Sequence, residues 1–116
     1  MNKKLRGSKG EALAAEYLRK KGYKILAMNY FSRFGEIDLI AEKDGIVVFV
    51  EVKLRKNKNF ATAGEHVTKL KQEKIIKTAL MYLCKFEEQK NSRFDVIEIY
   101  YDGNIKEINH LENSFS

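Results

Sequence analysis

Residues 35–55, GEIDLIAEKDGIVVFVEVKLR, read as two β-strands joined by a tight turn. Asp44-Gly45 suits a two-residue type I′ turn, because both central positions need φ > 0, which Gly accepts freely and Asp better than most residues. With that loop Lys43 faces Ile46, and antiparallel pairing sets Asp38 opposite Glu51 and Glu36 opposite Lys53. Strand side chains alternate with a period of two, so these four share a face. The other face of the second strand carries Ile46, Val48, Val50, Val52 and Leu54 and predicts the core. The first face is expected to be solvated, yet it holds Val47 and Phe49, then Glu51, Lys53 and Arg55 bunched at one end.

Like charges directly opposite on a sheet, with Cβ atoms about 4.5–5.5 Å apart, destabilise it. Facing carboxylates share a proton, are neutralised by a cationic side chain, or hold a metal ion. Lys53 can do the second and a divalent cation the third. A slip of one residue would send Asp38 to the opposite face and remove the constellation.

Upstream, Met1–Gly7 reads as a basic lead-in, and Ser8-Lys9-Gly10-Glu11 matches a capping box opening a helix that runs to about Lys21 and stops at Gly22. Glu11 shares a helix face with Ala14, Ala15 and Leu18, the stripe expected to meet the sheet. It therefore has two readings, a cap for the helix start or a carboxylate aimed at the acidic face of the hairpin. Residues 23–31 form the next predicted strand, and residues 32–35 turn it into the hairpin.

Past Arg55, KNKNFATAG is polar and reads as a substrate-facing loop. A second helix is expected from between Gly64 and Thr68 to about Glu88, burying Leu70, Ile76, Ala79, Leu80 and Leu83 with Ile75 beside them, and leaving Lys69, Lys71, Lys74 and Lys77 mostly in solvent. Residues 93–101 and 105–111 are predicted strands around an Asp102-Gly103-Asn104 turn. The order α-β-β-β-α-β-β predicts an α/β fold, a mixed sheet with a central antiparallel hairpin flanked by helices. The intervening helix makes a crossover, so the third and fourth strands should be parallel.

The 116 residues suffice for one core, spanning 1–116 as a single domain. A net charge of +6 favours an anionic partner, nucleic acid first. The single Cys84 offers no intrachain disulfide and reads as a small buried hydrophobe in a reducing cytoplasm. No run is apolar enough to span a bilayer, and MNKKLRGSKG lacks the apolar segment of a signal peptide. Glycosidase chemistry fits badly, since facing carboxylates sit closer than it needs and there is no Trp to stack a sugar. His66 and His110 have no metal-ligand spacing, and His110, Phe94, Tyr100 and Tyr101 are expected to pack.

Asp38, Glu51 and Glu11 are hard oxygen donors, a set that suits Mg²⁺ or Mn²⁺ rather than zinc. Lys53 is placed to orient or help deprotonate a water, and Arg55, Lys56, Lys58 and Lys9 to neutralise backbone phosphates. Asp followed by Glu-x-Lys on the next strand resembles the active-site pattern of the restriction-endonuclease-like superfamily, which includes archaeal Holliday-junction resolvases. More closely, GSKGEALAAEYLRKKGYKIL, Asn29, FGEIDLIAEKDGIVVFVEVKLR, RFDVIEI and NHLENSF resemble the small bacterial YraN-like family of uncharacterised proteins, over residues 7–115. Leu54 stands where that family more often has Thr. The resemblance implies a metal-dependent endonuclease acting on structured, branched DNA. Asp38, Glu51 and Glu11 would bind metal, Lys53 would be the catalytic lysine, and two copies would act together. Two other readings stay open: a structural ion-pair cluster, Glu36–Lys53, and a non-catalytic nucleic-acid-binding module of the same fold.

Overall fold

The computed structural model describes residues 3–56 and 67–116, with side chains from Lys9 onward. Helix α1 (Lys3–Lys20) is followed by β1 (Lys24–Ser32), β2 (Gly35–Lys43), β3 (Ile46–Arg55), α2 (Lys69–Leu83), β4 (Asn91–Tyr101) and β5 (Ile105–Phe115). The strands form one sheet in the order β1-β2-β3-β4-β5. β3 and β4 are parallel, from Ile46↔Asn91 to Arg55↔Tyr100, and the other pairs are antiparallel. The fold is the α/β arrangement expected, crossover included.

The hairpin turn has φ 52° at Asp44 and 79° at Gly45, both left-handed as its residues suggest. Lys43 pairs with Ile46, and the ladder runs back to Leu39↔Val50. There the main-chain pairing ends. The N–H of Val52 donates instead to Asp38 Oδ2 at 2.8 Å, so a carboxylate takes the place of a strand carbonyl where β2 and β3 part.

Both faces of the sheet are buried, which corrects the solvated face expected around Val47 and Phe49. Ala14, Ala15 and Leu18 of α1 cover Leu39, Ala41, Val48, Val50, Ile97 and Ile99. Ile75 and Ala79 of α2 cover Ile37, Ile40, Val47, Phe49 and Val96. At roughly 1.5–3 kcal/mol for each large apolar side chain, β3 anchors both layers.

Both helices differ from expectation. α1 begins at Lys3, so Ser8 lies within it rather than capping it. Lys3, Lys4, Leu5 and Arg6 are all favourable helix formers, and they carry the helix upstream of the box. α2 is capped by Thr68, whose hydroxyl accepts from Lys71 N–H at 3.2 Å, and it ends at Leu83, short of Glu88. Its buried residues are Ile75, Thr78 and Ala79, while Leu70 and Leu80 are 63% and 57% exposed. The helix is rotated because Thr78 satisfies its hydroxyl internally, on Lys74 O and Ser32 Oγ, and so enters the interface. Cys84, at the C-cap, is exposed rather than buried. Among the described residues no helix is long and apolar enough to cross a membrane.

Candidate functional site

The parting of β2 and β3 opens a cavity of about 360 Å³, lined by Gly35, Glu36, Asp38 and Glu51 from the strands and by Thr68, Leu70, Lys71, Lys74 and Ile75 from the α2 side. Glu11 comes from α1 to two of the carboxylates that line it, Glu36 and Asp38. Close approach of that helix depends on Gly10, where a Cβ would stand 3.3 Å from Leu54 Cβ. Glu11, Glu36 and Asp38 each offer a carboxylate oxygen, all within 4.8 Å of one another.

The electrostatics of the cluster are unfavourable as they stand. Burial raises the pKa of Asp38 to about 8, and the charge of Glu51 adds to the effect against the opposing Val52 N–H bond. Glu11 is raised too, by burial first, with the Asn29 side chain pulling the other way. Asn29, at φ 54° within β1, takes a left-handed conformation that Asn tolerates. Glu11 is 5% exposed, and its Oε2 is buried without a hydrogen-bond partner. An orphaned carboxylate oxygen beside two more carboxylates is costly unless a cation or a proton joins it.

Glu51 lies apart from that trio and is paired. Lys71 Nζ is 2.5 Å from its Oε1, and Lys53 Nζ is 3.8 Å from the same atom. Burial, then the charge of Lys71, lowers the pKa of Lys53. For Lys71 burial works against the charged form, but the hydrogen bond and charge of Glu51 outweigh it and the pKa is raised.

Of the residues expected at the site, Glu11 and Asp38 come together with Glu36, while Glu51 and Lys53 pair with each other beside them. Lys9, Arg55 and Lys56 line a separate recess with Tyr101, Asp102 and Gly103, where Lys9 Nζ lies 4.3 Å from the Tyr101 ring centroid. Arg55 is 3.3 Å from Glu98 Oε2. Lys58 and His66 lie outside the described residues. Two members of the site went unanticipated. Glu36 shares strand parity with Asp38, and that was the signal for it, although cross-strand pairing assigned it to Lys53. Lys71 could not be told from the other lysines of α2 without the rotation of that helix.

A family model described as "Uncharacterised protein family UPF0102" matches residues 10–99, which include every residue of this cluster. The chain belongs to UPF0102. This agrees with the resemblance to the YraN-like family of uncharacterised proteins. A UPF0102 protein of Sulfurihydrogenibium sp. (strain YO3AOP1) is 48% identical over 100% of this chain and 98% of its own length. One from Caldanaerobacter subterraneus subsp. tengcongensis is 46% identical over 99% and 98%, and one from Vibrio parahaemolyticus 45% identical over 95% and 91%.

A second polar network ties β5 of this UPF0102 chain to the sheet. Asp95, fully buried, accepts from Arg93 Nε and Nη2 at 2.8 and 2.9 Å, from Asn113 N–H at 3.0 Å and from His110 Nε2 at 2.7 Å. The carboxylate can only accept, so Nε2 carries a proton; Nδ1 faces the Tyr17 hydroxyl at 3.3 Å. Burial opposes the charge on Asp95, but the bonds from His110, Arg93 and Asn113 prevail and lower its pKa. The carboxylate is saturated, and the network is structural. His110 packs, as expected.

Proposed function

We propose that this protein is a metal-dependent endonuclease that hydrolyses phosphodiester bonds in structured nucleic acid, DNA in the first instance. The observation that carries the proposal is the orphaned Glu11 Oε2, buried beside Asp38 and Glu36. A hard divalent cation such as Mg²⁺ or Mn²⁺ fits this all-oxygen donor set and would relieve its charge. Glu11, Asp38 and Glu36 would hold the ion, with Glu51 reaching it once released by Lys71. Bound there, the cation would acidify an attacking water and polarise a phosphoryl oxygen.

The protein's own groups supply the rest. Asp38 keeps Oδ2 on the Val52 N–H, which fixes the orientation of its carboxyl group beside Glu11. Lys53, held as a cation 3.8 Å from Glu51, would orient the water by donating a hydrogen bond to it. Lys71, displaced from Glu51, offsets charge growing on the phosphate. A net charge of +6 supports an anionic substrate.

The ion pairs of Glu51 with Lys71 and Lys53 favour a second reading, a nucleic-acid-binding module without catalysis, because they satisfy that carboxylate with no cation. The test is a panel of labelled branched, nicked, single-stranded and duplex DNAs incubated with Mn²⁺ or Mg²⁺. Cleavage is expected, with Asp38→Asn and Glu51→Gln losing more than the roughly 10–100-fold that an outer-shell partner costs. Salt-sensitive binding with no cleavage of any substrate would leave the second reading.

A further inference from the structure

The hairpin joining β1 to β2 supplies Gly35 and Glu36 to the acidic cavity and carries one aromatic side chain, Phe31, that stands exposed. Phe31 is 69% exposed, and it pairs with Glu36, a member of the carboxylate trio. Two residues on, Arg33 Cζ lies 4.9 Å and Lys77 Nζ 5.6 Å from the Phe34 ring centroid. The tip is held in place: Ser32 Oγ accepts from Phe34 N–H at 3.0 Å and lies 2.8 Å from Thr78 Oγ1 on α2. Gly35 fits closely there, since a Cβ on it would approach Lys74 Cβ to 3.3 Å. Phe31 itself is an open ring whose cross-strand neighbour is the carboxylate Glu36 and which lies, along the chain, close to the cations that flank Phe34.

We infer that Phe31 is a stacking platform for an unpaired nucleobase next to the phosphate presented to the cavity, with Arg33, Lys74 and Lys77 on the flanking phosphates. The inference rests on the nucleic-acid reading above and narrows its substrate to strands with an unstacked base, such as an overhang, flap or bulge. Inside an intact duplex both faces of each base are covered, so an aromatic ring can reach only a base that has left the stack. Phenylalanine offers no hydrogen bond to a base edge, so the platform is indifferent to sequence. Charge argues against a second copy of this chain as the occupant. A two-fold contact sets each patch against itself, and here that brings two clusters of the cations Arg33, Lys74 and Lys77 together.

The test needs no cleavage. In EDTA, fluorescence anisotropy compares a duplex carrying one bulged 2-aminopurine with the same duplex fully paired, and the probe's own emission reports stacking. Wild-type protein should favour the bulged duplex about tenfold and quench the probe. Phe31→Ala should lose both effects while binding the paired duplex as before, and Phe31→Trp should keep them. Equal binding of both duplexes by wild type, or a bulge preference unchanged in Phe31→Ala, overturns the platform and leaves the nuclease proposal standing. Failure to bind either duplex overturns both. A dimer-to-monomer shift in sedimentation on Phe31→Ala, with unaltered DNA binding, would mark a self-interface and likewise overturn the platform.

Discussion

Asp38 is held where its ionised form is disfavoured, and the consequence can be measured. Its pKa rises from 3.8 to about 8, so between those values the folded protein keeps a proton that the unfolded chain releases. Stability conferred by the neutral form is therefore lost as pH climbs through that window, by up to about 1.4 kcal/mol per pH unit. Asp38→Asn should remove this dependence and melt higher than wild type at pH 8 in EDTA, with no further gain on adding Mg²⁺. A variant that melts lower at that pH would show Asp38 to be a stabilising partner instead. Lys71→Met should tighten Mg²⁺ binding several-fold by calorimetry, because an ammonium beside Glu51 repels the ion. Unchanged affinity would mean that the two do not compete. That Asp38, Glu51 and Lys53 lie near one another was legible from spacing, since a two-residue turn sets the register; a shared role for them came from the family resemblance. The part played by Glu36 was not, because pairing rules describe a ladder and this one stops at Leu39↔Val50.

At the level of the elements, Gly10 lets α1, which brings a carboxylate to the sheet, lie close against Leu54. Gly10→Val should cost about 1–3 kcal/mol in urea unfolding and weaken Mg²⁺ binding together, since the helix carrying Glu11 must move outward. Loss of stability with metal binding intact would uncouple Glu11 from the site. The strands were readable because their alternation and turn residues are local. The start of α1 and the rotation of α2 were not. Ser8-x-x-Glu11 is a valid local cap signal that a favourable upstream run overrode. The apolar count on α2 pointed to Leu70 and Leu80, while the contact was decided by Thr78 finding Ser32, 46 residues away.

Two buried acids pull the whole molecule's stability in opposite directions along the pH axis. Asp95 is depressed below 3.8, so its contribution is complete above that value and lost as pH falls through the folded pKa. Asp38 works the other way from there up to about 8. Urea unfolding in EDTA should show a maximum at about pH 4–5, and Mg²⁺ should lift the alkaline limb by binding the folded form alone. A flat profile to pH 8 in EDTA would remove the electrostatic premise of the site. Asp95→Ala should cost about 3 kcal/mol, removing the buried acceptor shared by Arg93, His110 and Asn113, while Mg²⁺ binding measured below the transition stays the same.

The single N–H that Val52 lends to Asp38 makes a gauge of the site's occupancy. No strand carbonyl competes for it, so its NMR frequency should follow the ionisation of Asp38 together with the carboxylates beside it, with a midpoint near 8. Titrating acid, Mg²⁺ or an oligonucleotide against that one peak would report protonation, ion capture and phosphate arrival in turn, in the unaltered protein.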